Sequence, residues 1–306
     1  MVKDIFVAPE GSMFWSVDFS GIEAVLVGYF AGQRDYVRLA KLDVHSFYTA
    51  YALHMLDGQV PVSDLPDLSW SDDQLGLCLA EIKKRFKRER NSVYKHLIHA
   101  ANYAQTPAGA QKTLFKLAGL SYSVPEVTKL MDIYFELFPG IRTWQRDLCN
   151  RVDAARRRKK DSQDEAIEDP WTLGVAYVQN PFGYVHRFYH VLEWTKIGDE
   201  WVSSPGDDAN RLIAFLPQST AAGIIKAAGR TIWEEYPELA DTLRLFIHDE
   251  ILGESPEALA EEHMKLASEI MGRQVPELPL DPGWNMGECL AIGTEGKLGR
   301  IWSEME

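Results

Sequence analysis

Residues 14–30, "FWSVDFSGIEAVLVGYF", open with an apolar run that suits a β-strand. The run breaks at the polar set Asp18, Ser20 and Glu23 and resumes as a second apolar segment. Read alone, this predicts strand, turn and helix, with Asp18 or Ser20 capping the helix and Glu23 completing a capping box from Ser20. "APEG" just ahead marks an early turn. After the loop "DGQVPVSDLPDLSWSDD", Ser71 and Gln74 form a capping-box pair, and Leu75, Leu79, Ile82 and Phe86 recur at helical spacing. A helix is predicted from about residue 72.

"RNSVYKHLIHAANYA" (90–104) is helical in period and puts Lys95, His99 and Tyr103, spaced by four, on one face. That face is turned to solvent or to a ligand. Helices continue through "YFELFPGIRTWQRDL", and "ARRRKKDSQDEAIEDP" has the composition of an exposed connection. Beyond it the period changes. "GVAYVQNPFGYVHRFYHVLEW" reads as strands about a turn at Asn180 to Gly183, and "PQSTAAGIIKAAGRTIWEEY" as a helix with small residues on one flank. "TLRLFIHDEILGE" reads as strand, tight turn at the charged HDE, and returning strand.

The 306 residues have ordinary globular composition, enough for one large core or two lobes. A net charge of -13 argues against a nonspecific grip on nucleic acid, since phosphate binding draws on Lys and Arg. Cys78, Cys149 and Cys289 have no paired spacing and suggest neither disulfides nor a zinc site. The N-terminus, "MVKDIFVAPEGSMF", lacks a signal-peptide core, and no segment is expected to reach the length needed to cross a bilayer. A cytoplasmic protein, bacterial or of an infected cell, with no membrane partner is the expectation.

Asp249 sits at a predicted strand end, flanked by His248 and Glu250. Taken alone, charged residues at a β-turn read as a solvated turn. Asp18 changes the picture. Two strand-end carboxylates on neighbouring strands would repel unless cations lay between them, and Mg²⁺ favours carboxylate oxygens together with substrate phosphates.

At this point the chain resembles the DNA polymerase I family, the family A DNA polymerases. Asp18, Ser20 and Glu23 stand as in its motif A, D-x-S-x-x-E, and Asp43, Val44 and His45 resemble the D-I-H that follows. Lys95, His99 and Tyr103 fall at motif B spacing. "YFELFPGI", "NPFGYVHR" and "PQSTAAGIIK" resemble further family segments, Phe246 to Leu252 resembles motif C, and "LAIGTEGKLGRIW" resembles the terminal strand. These segments agree in order.

The resemblance implies an α+β fold: a palm with a central antiparallel sheet and a mainly helical fingers subdomain, with thumb and exonuclease domains absent. The boundaries expected are palm 1–42, fingers 43–172 with the motif B helix near 90–104, and palm 173–306. It implies template-directed DNA synthesis, in which two Mg²⁺ ions are held by Asp18, Asp249 and the carbonyl of Phe19. Lys95 would meet the triphosphate and His45 its β-phosphate. Tyr103 would stack at the templating position and, with Glu23, close the space a ribose 2′-hydroxyl needs. Gln218, His248 and Arg187 would face the duplex minor groove, with Glu250 supporting Asp249 or the metals.

Several positions depart from the family pattern. His99 replaces the aromatic residue of motif B, Ala104 replaces the glycine after Tyr103, and Asn91 stands where an arginine contacts the triphosphate, so that Arg90 or Arg88 would substitute. Gly223 and Tyr184 stand where Asp and Arg are usual. None of these removes an implied metal ligand. The histidine and "NY" of motif B resemble phage members of the family.

The partners implied are primer-template DNA, dNTPs and a second polypeptide carrying the thumb and a 3′-5′ exonuclease, as in a split polymerase. The alternative is a noncatalytic polymerase-derived module for DNA binding or assembly. An RNA polymerase of related fold is disfavoured by Glu23. "KKRFKRER" (83–90) is either a solvated helix face or a nucleic-acid contact.

Overall fold

In the computed structural model, which describes residues 2–161 and 176–305, strand β1 (Ser12–Phe19) leads into α1 (Ile22–Phe30), α2 (Arg34–Leu42) and α3 (Val44–Asp57). Next come α4 (Asp72–Arg85), the one-turn α5 (Lys87–Glu89), a π turn (Arg90–Tyr94) and α6 (Lys95–Asn102). Helices α7 (Pro107–Ala118), α8 (Val124–Leu137) and α9 (Pro139–Asp161) follow. Two hairpins pair β2 (Ala176–Gln179) with β3 (Val185–Phe188) and β4 (Leu192–Ile197) with β5 (Glu200–Pro205). The chain then forms α10 (Ala209–Glu235), α11 (Pro237–Ala240), β6 (Leu243–Ile247), β7 (Glu250–Pro256) and α12 (Ala260–Met271). The last strands are β8 (Val275–Pro279), β9 (Cys289–Leu290) and β10 (Thr294–Gly299). The fold is mixed helix and antiparallel sheet, as the sequence implied.

Two compact units form, one of residues 1–23 with 218–306 and one of residues 24–217. The expected boundary at 42/43 falls within the second unit, where Ala24, Val27, Tyr36 and Leu39 are buried in the same core as Phe47, Tyr48 and Leu53. The other expected boundary, 172/173, lies outside the described residues.

The first unit holds a four-stranded antiparallel sheet in the order β10-β1-β7-β6. Side chains alternate between its faces. One face carries Trp15, fully buried, with its indole Nε1 donating to Ser255 Oγ at 2.9 Å. Gly253 lies opposite, and a Cβ there would come within 2.1 Å of the Trp15 ring. Only glycine admits the ring, whose burial contributes roughly 3 kcal/mol. Helix α12 packs on this face: Met264 lies over Gly296, and Ser268 Oγ meets Thr294 Oγ1 at 2.6 Å. On the opposite face Phe14 and Leu252 form a small core with Ala8, Trp302 and Met305. That core closes one end of the face, and Asp18 stands at the other.

The second unit is mainly helical around one large core that includes Tyr36, Phe47, Tyr48, Leu97 and Tyr134. The predicted capping box at Ser71 and Gln74 is present, and Ser123 with Glu126 makes another. Such caps contribute about 1 kcal/mol each. The predicted turn at Asn180 to Gly183 joins β2 to β3, with Asn180 Oδ1 accepting from the N–H groups of Phe182 and Tyr184. One expectation is corrected in part. The start of "ARRRKKDSQDEAIEDP" continues α9 through Asp161, because the apolar period of "IRTWQRDLCNRV" carries the helix on. The remainder lies outside the described residues.

A second correction concerns length. Helix α10 begins at Ala209, runs through Pro217, and is by length and composition apolar enough to cross a membrane. Of the apolar window 61% is buried within the protein, as in a core helix.

Candidate active site

In the first unit, β1 pairs antiparallel with β7 so that Val17 faces Ile251 and Asp18 faces Glu250. Ile247 pairs with Glu250, leaving His248 and Asp249 as a two-residue hairpin loop. His248 carries the bend at a φ of 54°, a left-handed conformation uncommon for any residue but glycine. The Phe19 N–H donates to the Asp249 carbonyl at 3.2 Å, fastening the loop to the end of β1. Two distant motifs are thereby joined by backbone pairing. Asp18 is a strand residue and stands too far ahead of Ile22 to cap α1, and Gly21 with a φ of 65° makes the turn into that helix.

The site is strongly acidic. Asp18 is partly buried, and its Oδ1 is sealed from solvent with no hydrogen-bond partner. Burial first, then the charges of Asp249 and Glu250, push its carboxyl up to about 6, against a lesser opposing pull from Lys297. Asp249 is raised as well, chiefly by burial, with Glu23 and Glu250 adding to the effect and its own backbone N–H and His248 opposing it. Gln218 Nε2 donates to Glu23 Oε1 at 3.5 Å, so two further predicted residues meet here. Among the described residues no group of three or more His, Cys, Asp or Glu side chains gathers into a metal cage of its own. A pair of carboxylates with one orphaned buried oxygen nonetheless fits a hard cation that takes its other ligands from substrate and water.

Two residues of this region escaped the sequence reading. Strand β10 pairs with the other edge of β1, setting Glu295 opposite Asp18 and Lys297 opposite Ser16. Residues directly opposite share a face, so Glu250, Asp18 and Glu295 form one row across three strands. The alternation in "TEGKLG" puts Glu295 and Lys297 on one side, but register against β1 is not written in the segment itself.

The second unit gathers the other predicted residues. Lys95 and His99 are exposed on α6, and the His99 and Tyr103 rings meet edge to face at 4.7 Å. His45, on the first turn of α3, has a buried Nδ1 without a partner. Burial, then the positive charge of Arg90, Lys95 and His99, lowers its pKa to about 4 against the opposing pull of Asp43, so the ring is neutral at pH 7. Tyr103 is itself buried, at 6% exposure.

Arg90 is tied into the second unit by an ion pair. Its Nη2 and Nε reach Asp43 Oδ1 and Oδ2 at 2.7 and 3.1 Å, and its Nε also reaches Ser46 Oγ at 3.0 Å. Both side chains of the pair are only 12% exposed. Asp43 at the same time caps α3 through the Ser46 N–H. Arg90 thus anchors the start of α3, while Arg88 is the exposed guanidinium. Arg187 belongs to the second unit, exposed on β3, whereas Gln218 and His248 are exposed in the first.

The carboxylates at adjoining strand ends in the first unit and the α6 face bearing Lys95 in the second are the features on which the resemblance to polymerase domains rests. No protein-family model matches the chain. Among curated proteins it is similar to the thermostable DNA polymerase I of Thermus filiformis, 24% identical over 307 aligned positions covering 99% of this chain. It is also similar to the enzymes of Thermus thermophilus, 23% identical over 291 positions, and Thermus aquaticus, 22% over 291. The chain spans about 28% of the length of each of these relatives. The solved POL domain of Pol1 from M. smegmatis, in complex with DNA primer-template and dNTP, aligns with 99% of this chain and 42% of its own at a TM-score of 0.58 and 22% identity. These likenesses agree with the motifs: over nearly its whole length the chain is similar to the polymerase-domain portion of DNA polymerase I, and it has that domain's fold.

Proposed function

We propose that the chain catalyses template-directed DNA synthesis, transferring a nucleotidyl group from a dNTP to a primer 3′-hydroxyl with release of pyrophosphate. The observation that carries this reading is the pairing of β1 with the Ile247–Glu250 hairpin, which sets Asp18, with its orphaned Oδ1, beside Asp249. In this reading the carboxylates of Asp18 and Asp249, with the carbonyl of Phe19, hold two magnesium ions. Magnesium bound there supplies Lewis-acid activation of the primer hydroxyl and neutralisation of the departing pyrophosphate.

The remaining roles belong to the chain's own side chains. Lys95, exposed on α6, offers its ammonium to the triphosphate and a proton to pyrophosphate. The neutral ring of His45 gives a hydrogen-bond contact to the β-phosphate. Tyr103 and Glu23 exclude a 2′-hydroxyl. Gln218, His248 and Arg187 hold minor-groove acceptors common to all base pairs, and Glu250 orients Asp249. Residues 1–23 and 218–306 act as palm, and the helical residues 24–217 as fingers.

Purified Asp18→Ala and Asp249→Ala variants are expected to lose Mg²⁺-dependent primer extension by roughly a thousandfold or more while keeping the native circular dichroism spectrum. Near wild-type extension by either would falsify the metal assignment. We also propose that a second polypeptide supplies thumb and proofreading functions, because a chain of net charge -13 has little positive surface with which to grip duplex DNA. Alone, the chain should bind primer-template weakly and lose it at modest salt. Tight binding at physiological salt, measured by fluorescence anisotropy, would refute the need for that partner.

A further inference from the structure

The end of α6 is built with unusual care. Gln105 N–H donates to the Ala100 carbonyl at 2.9 Å and Ala104 N–H to that of Ala101 at 3.1 Å, the two bonds of a Schellman ending. The residue that must then be left-handed is Ala104, with a φ of 51°. Glycine is the usual occupant, because a Cβ is strained in that conformation. Strain of this kind persists only where surrounding structure over-determines the turn.

The surrounding structure is a buried polar network. Asn102, last residue of α6 and 4% exposed, has its side-chain Oδ1 accepting from Tyr36 Oη at 3.1 Å and from Tyr134 Oη at 2.5 Å. The two tyrosine hydroxyls are 2.9 Å apart. Gln145 Nε2 donates to the carbonyls of Ala101 and Asn102 at 2.8 and 3.0 Å. Helices α2, α8 and α9 each contribute one of these partners, and all converge on two consecutive residues just before Tyr103. Leucine at 102 with phenylalanine at 36 and 134 would fill such a core more simply, without burying the three side-chain polar groups that meet there.

We propose that Asn102, held by Tyr36, Tyr134 and Gln145, is a positioning residue that locks the strained C-terminal turn of α6 and thereby sets His99 and Tyr103 for nucleotide selection. The part concerning nucleotides rests on the proposed function; the part concerning the turn does not. Asn102→Leu removes the acceptor at similar volume, and the triple variant Tyr36→Phe, Asn102→Leu, Tyr134→Phe also removes the hydroxyls that the single change would strand. Ala104→Gly, added to either, makes the left-handed turn unstrained.

In single-nucleotide kinetics the triple variant is expected to raise KM for dNTP about tenfold with kcat within a factor of about three. Ala104→Gly should recover most of that loss. Hydrogen exchange provides a readout independent of catalysis: peptides covering residues 96–106 should exchange faster in the triple variant, those from α2 and α8 should not, and Ala104→Gly should restore protection. Unchanged KM and unchanged exchange at 96–106 would overturn the inference, and so would faster exchange spread evenly over the helical unit. If the wild-type chain extends no primer, the proposed function fails, and the exchange of residues 96–106 alone decides whether Asn102 positions the turn.

Discussion

Replacing Asp18 with asparagine should make the protein more stable. In the metal-free chain the Asp18 carboxyl rises from the ordinary 3.8 to about 6, so at neutral pH its ionised form is held against burial and against the charges of Asp249 and Glu250. The folded state therefore binds the proton more tightly than the unfolded chain, and raising the pH between about 4 and 6 removes stability. At about 1.36 kcal/mol per pH unit the cost is at most about 3 kcal/mol. Asp18 keeps partial solvent contact, which screens the interaction, so about 1–2 kcal/mol is expected above pH 7. The amide of Asp18→Asn would keep the shape and lose the charge. Urea unfolding followed by tryptophan fluorescence in EDTA should place the variant above wild type by that amount at pH 7.5 and level with it at pH 4, where both side chains are neutral. Adding Mg²⁺ should stabilise wild type and leave Asp18→Asn unmoved. A variant no more stable than wild type at pH 7.5, or a gap that does not close by pH 4, would refute the electrostatic argument.

Glu23→Ala should raise ribonucleotide incorporation relative to deoxynucleotide incorporation by roughly tenfold to a hundredfold, read as a ratio of kcat/KM values; an unchanged ratio puts the sugar gate elsewhere. His45 predicts the opposite pH behaviour to Asp18. Its pKa falls to about 4 through burial and the neighbouring cations, so the unfolded chain takes up the proton first, and stability present above about pH 6.5 is lost as the pH falls towards 4. His45→Asn should lose roughly 1–3 kcal/mol less than wild type between pH 7 and pH 4.5, compared as urea midpoints.

What the sequence disclosed follows the range of the forces involved. Caps and turns are local, so Ser71 with Gln74 and the turns at Asn180 and at HDE were legible from neighbouring residues alone. The pairing of Asp18 with the Asp249 hairpin spans 231 positions and could be inferred only because each carboxylate ends a strand pattern in an ordered set of motifs. Register was the limit. The alternation in "TEGKLG" holds equally for either register, and only pairing with β1 brings Glu295 and Lys297 to Asp18. The ion pair of Arg90 was illegible for a related reason: its partner Asp43 lies 47 positions away along the chain.

Backbone strain offers a separate line to the same places. Among the described residues only Ala104, His248 and Asn285 have positive φ without being glycine. Asn285 ends a short 3₁₀ turn, a setting in which asparagine is ordinary. The other two stand in a conformation uncommon for their residue types, at a cost of about 1 kcal/mol or more. One aims the hairpin that carries Asp249, and the other closes the helix that carries Lys95, His99 and Tyr103. Stability selection alone would favour glycine at 104 and asparagine or glycine at 248. That both of these positions, among the described residues, fall beside the two candidate halves of one chemistry, each turn fixed by bonds from distant elements, is what a site that needs stiffness would produce. Ala104→Gly and His248→Gly should accordingly each leave the chain at least as stable by urea unfolding. His248→Gly is expected to lose extension rate, and a gain of stability there with no loss of rate would mean the strain at the hairpin is incidental.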